Sequence, residues 1–304
     1  MNPGRRVMAV IVTYHPDSGL QSRIAELVGQ VDAVLIVDNT PGGGANDWQF
    51  LTAGVFGDKV KLRAMGRNVG VAAALNIGVE EARLGGFGYL LTLDQDSSLP
   101  ATAVERLLSI LTSATDIAVV GPLFHEEDTG RRSYVPVKRS WLVPTRIQPD
   151  TGIYDVYTAI TSGSLYRVDL FADIGTFLEE YFIDGVDNEH CLRILTRRFR
   201  VVVSSSVDIG HSIGKRTAVI RWGIGFSPPN YPPVRHYYMT RNRIFLYKKY
   251  SFKFPMYMLY DLACATKVFA RVLFAEDERR EKLRMMARGF LDGLRGRGGV
   301  YSKS

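Results

Sequence analysis

Residues 89–100 read YLLTLDQDSSLP, and this stretch decides the fold. Tyr89–Leu93 has the length and apolar character of a buried strand, and it stops at Asp94-Gln95-Asp96. A strand that is apolar toward both faces belongs in a sheet covered on both sides, and such sheets are mostly parallel. The same grammar repeats on either side of it. Val7–Thr13 (VMAVIVT) is a β-branched run, and Ala33–Val37 is another that ends at Asp38-Asn39 before a glycine-rich turn, Pro41–Gly44. Leu20, Ile24, Leu27, Val28 and Val31 keep helical spacing, as do Val71, Leu75, Val79 and Ala82, and then Val104, Leu107, Leu108 and Leu111. Ile117–Val120 is a further strand. This β-α-β-α-β order predicts an α/β fold: a mostly parallel sheet flanked by helices, with right-handed crossovers.

Composition sets the outer limits. The 304 residues are 46% hydrophobic and 23% charged, which excludes disorder and collagen-like repeats. Cys191 and Cys264 are too few for a disulfide framework, and both are expected to stay reduced, which fits the cytoplasm. The N-terminal apolar run continues into a polar motif without a small-residue cleavage site, so it reads as a first strand, not a leader. No run of about 18 uncharged apolar residues is present to span a bilayer.

Residues 121–207 are less regular, and four prolines break the chain at Phe226–Val234. We therefore expect a domain over residues 1–235, with a first half to about residue 100, and a helical extension over 236–304. The last residues, rich in Gly, Lys and Arg, are expected to fray. From Arg235 onward there are 16 Lys and Arg against 6 Asp and Glu, while the remainder is slightly acidic. A basic segment of this kind meets phosphate, anionic lipid or nucleic acid.

Ligands of open parallel sheets bind beyond the carboxyl ends of the strands. Thr13-Tyr14-His15, Asp38-Asn39 and Asp94-Gln95-Asp96 should share that edge. Two carboxylates two residues apart either form a solvated turn or meet a hard divalent cation, Mg²⁺ or Mn²⁺. In RNVGVAAALNIG (residues 67–78) small residues open a helix, either for tight packing on the sheet or for close approach of a ligand. Asn68 is placed to cap that helix, whose N-terminus favours an anion. The segment is not G-x-G-x-x-G, which disfavours a dinucleotide dehydrogenase. Asp38 suits a base or ribose, or simply a turn. In FIDGVDNEHCLR (residues 182–193) three acids crowd a helix start. They either interact with the helix dipole or include one carboxyl raised to act as general base. His211 is a candidate metal ligand. GHSIGKRT (residues 210–217) has the wrong spacing for a P-loop, although Lys215, Arg216 and Arg221 are basic enough to neutralise a diphosphate.

Together VTYHPD, VDN, RNVGVAAALNIG, LTLDQD, TSGSL, FIDGVDNEHCLR, GHSIG and RHYYMTRN resemble inverting glycosyltransferases of family 2 with the GT-A fold. The resemblance covers roughly residues 7–245, and its spelling is most like the rhamnosyltransferase branch, which uses dTDP-L-rhamnose in bacterial surface polysaccharide (O-antigen) synthesis. It implies that Thr13, Tyr14, Asp38 and Arg67 hold the base and ribose, with Asn68, Gly70, Asn76, Asp94, Gln95 and Asp96 completing the nucleotide-sugar site. Asp96 and His211 would bind the metal, and Asp187 would be the catalytic base. Asp184, Glu189, Ser162 and Gly163 would position the acceptor or the base. His190 stands where an aromatic residue is expected. The implied partners are dTDP-L-rhamnose or a related UDP- or GDP-sugar and a glycan or lipid-linked acceptor. The implied place is the cytoplasm, with the basic C-terminal helices on the anionic inner face of the cell membrane or on a second subunit of a homodimer.

Rival classes lack their signatures. A nucleotidyltransferase needs a lysine-bearing glycine loop after the first strand, absent from VTYHPDSGL. A nucleic-acid-binding protein needs a zinc, RNA-binding or helix-turn-helix pattern, and none accompanies the basic tail. A sugar-nucleotide binder without catalysis has no use for both Asp96 and Asp187.

Overall fold

A computed structural model describes residues 5–42, 48, 51, 54–126, 137, 152–211, 219–221, 224–226 and 230–302, with backbone only at 125, 126, 210, 211, 219–221 and 224–226. Chain order is β1 (Val7–Thr13), α1 (Leu20–Val28), β2 (Ala33–Asp38), β3 (Val60–Ala64), α2 (Val71–Leu84), β4 (Tyr89–Asp94), α3 (Ala103–Thr112) and β5 (Ile117–Glu126). There follow β6 (Ile153–Asp155), β7 (Ser164–Arg167), the single turn α4 (Phe171–Ile174), α5 (Val186–Thr196) and β8 (Arg200–His211). A short hairpin, β9 (Val219–Arg221) and β10 (Ile224–Phe226), precedes α6 (Pro233–Tyr250), α7 (Pro255–Phe274) and α8 (Arg279–Arg295).

Eight strands form one sheet in the order β3-β2-β1-β4-β7-β5-β8-β6. Strands β3, β2, β1 and β4 are parallel, as the apolar runs of β2, β1 and β4 predict. β3 and β7 depart from the sequence reading, as do the short β6, β9 and β10. β3 (VKLRA) was not anticipated, because it lies at the sheet edge and buries little besides Val60, so no apolar run marks it. β7 runs antiparallel between β4 and β5. It is sent back into the sheet by the turn at Gly163, whose N–H donates to the Thr92 carbonyl at 2.8 Å.

Alternation along the strands divides the core. Val7, Ala9, Ile11, Leu91 and Leu93 pack against α1 and α3. Met8, Val10, Leu35, Val37 and Leu90 pack against α2 and α5. The small residues of α2 serve this packing: a Cβ on Gly78 would lie 2.7 Å from Cβ of Val10.

Helices α6 and α8 pack on each other, and the chain end is pinned, contrary to the expectation of fraying. Gly299 N–H donates to the Glu180 carbonyl at 2.7 Å, and Tyr301 N–H to the Tyr238 hydroxyl at 2.8 Å. Glu276 is fully buried between Arg271, Lys282 and His236. Burial alone would raise its carboxyl, but hydrogen bonds from His236, Lys282 and Arg271 hold it down at about 2.

Gly78→Val should lower the urea midpoint by the equivalent of about 1–3 kcal/mol, the usual effect of overpacking a tight helix–sheet contact. An unchanged midpoint would mean that α2 and β1 do not meet as closely as described.

Candidate functional site

The strand order reverses between β1 and β4, since β2 and β3 continue on one side of β1 and β4 lies on the other. At such a switch point the loops after the two strands diverge and leave a crevice. Here Val12 pairs with Asp94 across the sheet, and Thr13 pairs with Asp38. Beyond these ends opens a cavity of about 1120 Å³. Thr13, Tyr14, Asn68, Gly70, Asp94, Gln95, Asp96, Ser162, Asp184 and Asp187 all line it. Residues from β1, α2, β4, the loop before β7 and the start of α5 thus meet in one space.

Local hydrogen bonds fix this wall. Gln95 Oε1 accepts the Tyr14 N–H at 2.7 Å, tying the β1 loop to the β4 loop. Ser162 Oγ accepts the Asp94 N–H at 3.0 Å and lies 2.7 Å from Ser97 Oγ. Asn68 Oδ1 accepts the Gly70 N–H at 2.9 Å. That bond is an Asx-type turn ahead of α2, not the helix cap read from the sequence, and Gly70 takes the capping position with φ +88°. A Cβ there would strike Phe182, so the glycine is required both by conformation and by close approach.

Five residues read as site residues lie elsewhere. Asp38 is 1% exposed and does not line the cavity; its carboxylate accepts from Thr13 Oγ1 (3.0 Å), Thr40 Oγ1 (2.7 Å) and Trp48 Nε1 (3.2 Å). It stands behind Thr13 and Asn39, which do face the cavity. Asn76 exchanges two hydrogen bonds of 2.9 Å with the Phe177 backbone and is a brace between α2 and the 177–179 turn. Glu189 is wholly buried, held by Lys249 (2.8 Å), Tyr250 (2.8 Å) and Arg193 (2.9 Å). Gly163 serves the turn into β7, and Arg67 is exposed without lining the cavity. His211 ends β8 with its side chain outside the described residues, as are Lys215 and Arg216. His190, in the place expected for an aromatic, fills an aromatic role: its ring stacks on Phe171 (5.3 Å between centroids) and packs against Phe177 (4.4 Å) in the core. Burial there pushes its pKa well down, so it is neutral.

The acid-rich segment is presented by a strained loop. Phe182 and Asp184 have φ of +61° and +62°, and Gly185 has +77°. Several carbonyls of this segment leave the sheet and helix ladders and need donors, while that of Gly185 accepts the Glu189 N–H. Arg241 and Asn242, both buried on α6, supply them. The Arg241 guanidinium donates to the carbonyls of Glu180, Tyr181 and Gly299, and Asn242 Nδ2 donates to those of Tyr181, Ile183 and Asp184 at 2.6–2.8 Å. The Phe182 carbonyl takes the Val71 N–H at 2.7 Å. Asp184 forms an ion pair with Arg235 at 3.0 Å, and that guanidinium lies over the Tyr231 ring. Asp187, in the first turn of α5, is raised to about 6 by burial, with the charges of Asp184 and Asp94 adding to the rise. A carboxyl so placed is suited to take a proton near neutral pH. Asn39, Tyr231, Arg235, Asn242, Arg243 and Asp261 also line the cavity and were not singled out from the sequence. RHYYMTRN, which contains Arg235, Arg241 and Asn242, was the available sign of three of these cavity and clamp residues.

Among the described residues no group of three His, Cys, Asp or Glu side chains converges on a metal position. Asp94 and Asp96 supply hard carboxylate oxygens, and Mg²⁺ or Mn²⁺ commonly takes one or two of these and completes its shell with water and substrate phosphate. The donor chemistry of the pair fits such an ion.

Comparison with known proteins gives a consistent family. The model of glycosyl transferase family 2 matches residues 8–175. A dTDP-rhamnosyl transferase, RfbF of Shigella flexneri, is 29% identical over 304 residues, covering 97% of this chain and 98% of that protein. Among solved structures, GalNAc-T7 with UDP, GalNAc and Mn²⁺ superimposes with a TM-score of 0.60 at 14% identity, over 96% of this chain and 56% of that one. S. aureus TarS 1–349 in complex with UDP superimposes at 0.53 and 14% identity, over 94% of this chain and 71% of that one. These neighbours are GT-A glycosyltransferases, and the likeness establishes the fold.

Glu189→Gln should lower stability by about 3 kcal/mol in urea denaturation, since removing one charge leaves Lys249 and Arg193 without a buried partner. Normal stability with loss of activity would return Glu189 to the site.

Proposed function

The chain belongs to glycosyl transferase family 2, and on that premise we propose that it transfers L-rhamnose from dTDP-L-rhamnose, with inversion, to a hydroxyl of a glycan or lipid-linked acceptor of bacterial surface polysaccharide synthesis. That it is a glycosyltransferase follows from the family and from a rhamnosyltransferase relative matched along nearly its whole length. The observation that supports the assignment of roles is the single cavity shared by Asp94, Asp96 and Asp187.

In this reading Thr13, Tyr14 and Asn39 receive the nucleoside, with Asp38 holding Thr13 in place from behind. Asp94 and Asp96 hold Mg²⁺ or Mn²⁺, which when bound offsets the charge developing on the leaving diphosphate. Asp187 accepts the proton of the acceptor hydroxyl as that oxygen attacks the anomeric carbon from the face opposite the diphosphate. Asp184, fixed by Arg235, keeps negative charge beside Asp187 and so helps to keep it basic.

The same reading places the enzyme on the cytoplasmic face of an anionic membrane. No helix among the described residues is long and apolar enough to cross one. Helix α7 buries only Tyr257, Met258 and Val272, leaving Leu259, Leu262 and Phe269 exposed along one stripe. Exposed Lys253 and Lys267 flank it, and beyond its end Arg279 and Arg280 follow the exposed Asp277 and Glu278. Apolar side chains bordered by cations match an anionic lipid surface.

In a thermal-shift panel the largest rise should come with dTDP-L-rhamnose plus a divalent cation; a larger rise with a UDP- or GDP-sugar overturns the donor. Asp187→Asn should keep that rise while losing transfer by about 10³-fold or more, and the parent rate should climb with pH through about 6 as the carboxyl ionises. The folded-state pKa of Asp187 is raised, so its charge weakens the fold as pH rises from about 4 to above 6, and the Asn variant should melt higher at pH 8. Near-normal turnover of the variant removes Asp187 as base.

The chain should co-sediment with phosphatidylglycerol vesicles and be released by salt. A salt-resistant dimer that leaves vesicles untouched would assign the exposed face of α7 to a second copy.

A further inference from the structure

We propose that the wall of the cavity formed by Tyr238, Met239, Arg243 and Leu246 of α6 and Asp261 of α7 is the acceptor subsite, and that it takes an uncharged sugar presenting adjacent hydroxyls. The inference rests on the glycosyltransfer reading and adds to it the class and location of the acceptor.

The cavity holds about 1120 Å³, above the roughly 300–1,000 Å³ of sites built for one small ligand. Its two ends differ in origin. One lies at the carboxyl edges of β1 and β4 and carries Thr13, Asp94 and Asp96; the other is built by the C-terminal helices. Asp187 and Asn242 line the same cavity, with Asn242 donating to the carbonyl of Asp184, three residues before Asp187, and Arg243 following Asn242 on α6. A sugar held by the second wall therefore shares one cavity with the Asp187 carboxyl.

The chemistry of that wall suits a pyranose. Arg243 Nε donates to Asp261 Oδ2 at 2.7 Å and its Nη2 to Oδ1 at 3.3 Å, while the Tyr247 hydroxyl donates to Oδ2 at 2.8 Å. The pair is locked into one plane, and Arg243 Nη1 makes no hydrogen bond among the described residues. A locked guanidinium–carboxylate pair offers a donor and an acceptor side by side, which is what two neighbouring hydroxyls require. Met239, one turn before Arg243 on α6 and part-exposed, gives this wall an apolar side chain for the C–H face of a sugar ring.

Charge selects against an anion. The described lining includes the carboxylates of Asp94, Asp96, Asp184, Asp187 and Asp261, but only the guanidiniums of Arg235 and Arg243, each already paired with one of those acids. Among the described lining residues, a uronate or phosphate on this wall would meet carboxylates and no cation that is not already paired.

The test uses the full chain, dTDP-L-rhamnose with Mg²⁺, and octyl glycosides of neutral hexoses set against octyl glucuronide. The parent should favour a neutral glycoside by about tenfold or more in kcat/KM. Asp261→Asn and Arg243→Gln should each raise acceptor KM about tenfold, the loss of one charge-assisted hydrogen bond, with donor KM within about twofold. Asp261→Asn should also narrow the bias against the glucuronide, a change that general loosening of the fold does not produce. Met239→Trp, which fills the apolar side without touching the ion pair, should raise acceptor KM as well and carries the test if the ion-pair variants fail to fold. Unchanged acceptor KM in the variants overturns the subsite. Preference for the glucuronide, or consumption of donor with transfer to no neutral glycoside, overturns the uncharged acceptor. Absence of any donor-induced thermal shift in the parent chain points instead to failure of the glycosyltransfer reading.

Discussion

The structure depends on the grip of α6 upon the loop that precedes α5. Three residues of that loop carry positive φ, two of them not glycine, and the backbone there cannot satisfy itself. Arg241 and Asn242 meet four carbonyls of this segment, those of Glu180, Tyr181, Ile183 and Asp184, and Arg241 also meets that of Gly299. The Glu180 and Tyr181 carbonyls also accept backbone N–H groups, from Gly299 and Ile183, whereas losing the donor to a buried carbonyl such as that of Ile183 would cost about 1–3 kcal/mol. The grip sets where Asp184 points and how α5 starts, and so where the Asp187 carboxyl sits relative to the sheet edge. The C-terminal helices are thus a working part of the site and not an appendage to a finished domain.

The parallel half of the fold was legible because burial on both faces forces uninterrupted apolar strands: VMAVIVT, AVLIV and YLLTL could be nothing else in a sheet covered by helices. β3 escaped notice because an edge strand with one buried residue has no such constraint. β7 was missed because its antiparallel insertion follows from a turn geometry at Gly163, which no periodicity records.

The site was legible in outline. The polar residues ending β1 and β4 do share an edge, and Asp187 joins them in the cavity. What sequence could not decide was which polar residues face outward. Glu189 lies two positions after Asp187, about 200° around a helix of 3.6 residues per turn, so the two face opposite ways. One meets the cavity; the other meets Lys249 and Tyr250. Asp38 and Asn76 sit in stretches that resemble ligand-binding motifs, yet both are occupied by neighbouring groups of the protein. Their contribution to binding is indirect, through the residues they hold.

The pinning of residues 299–301 has a consequence for biogenesis. The Gly299 carbonyl receives Arg241, and its N–H returns to Glu180 on the far side of the same loop. Every strand of the eight-stranded sheet ends no later than His211, so during translation all of the sheet's residues leave the ribosome before Gly299 does. The segment that braces the loop before α5 is thus among the last parts of the described chain to be synthesised, and the cavity wall at Asp184 is complete only once it has emerged.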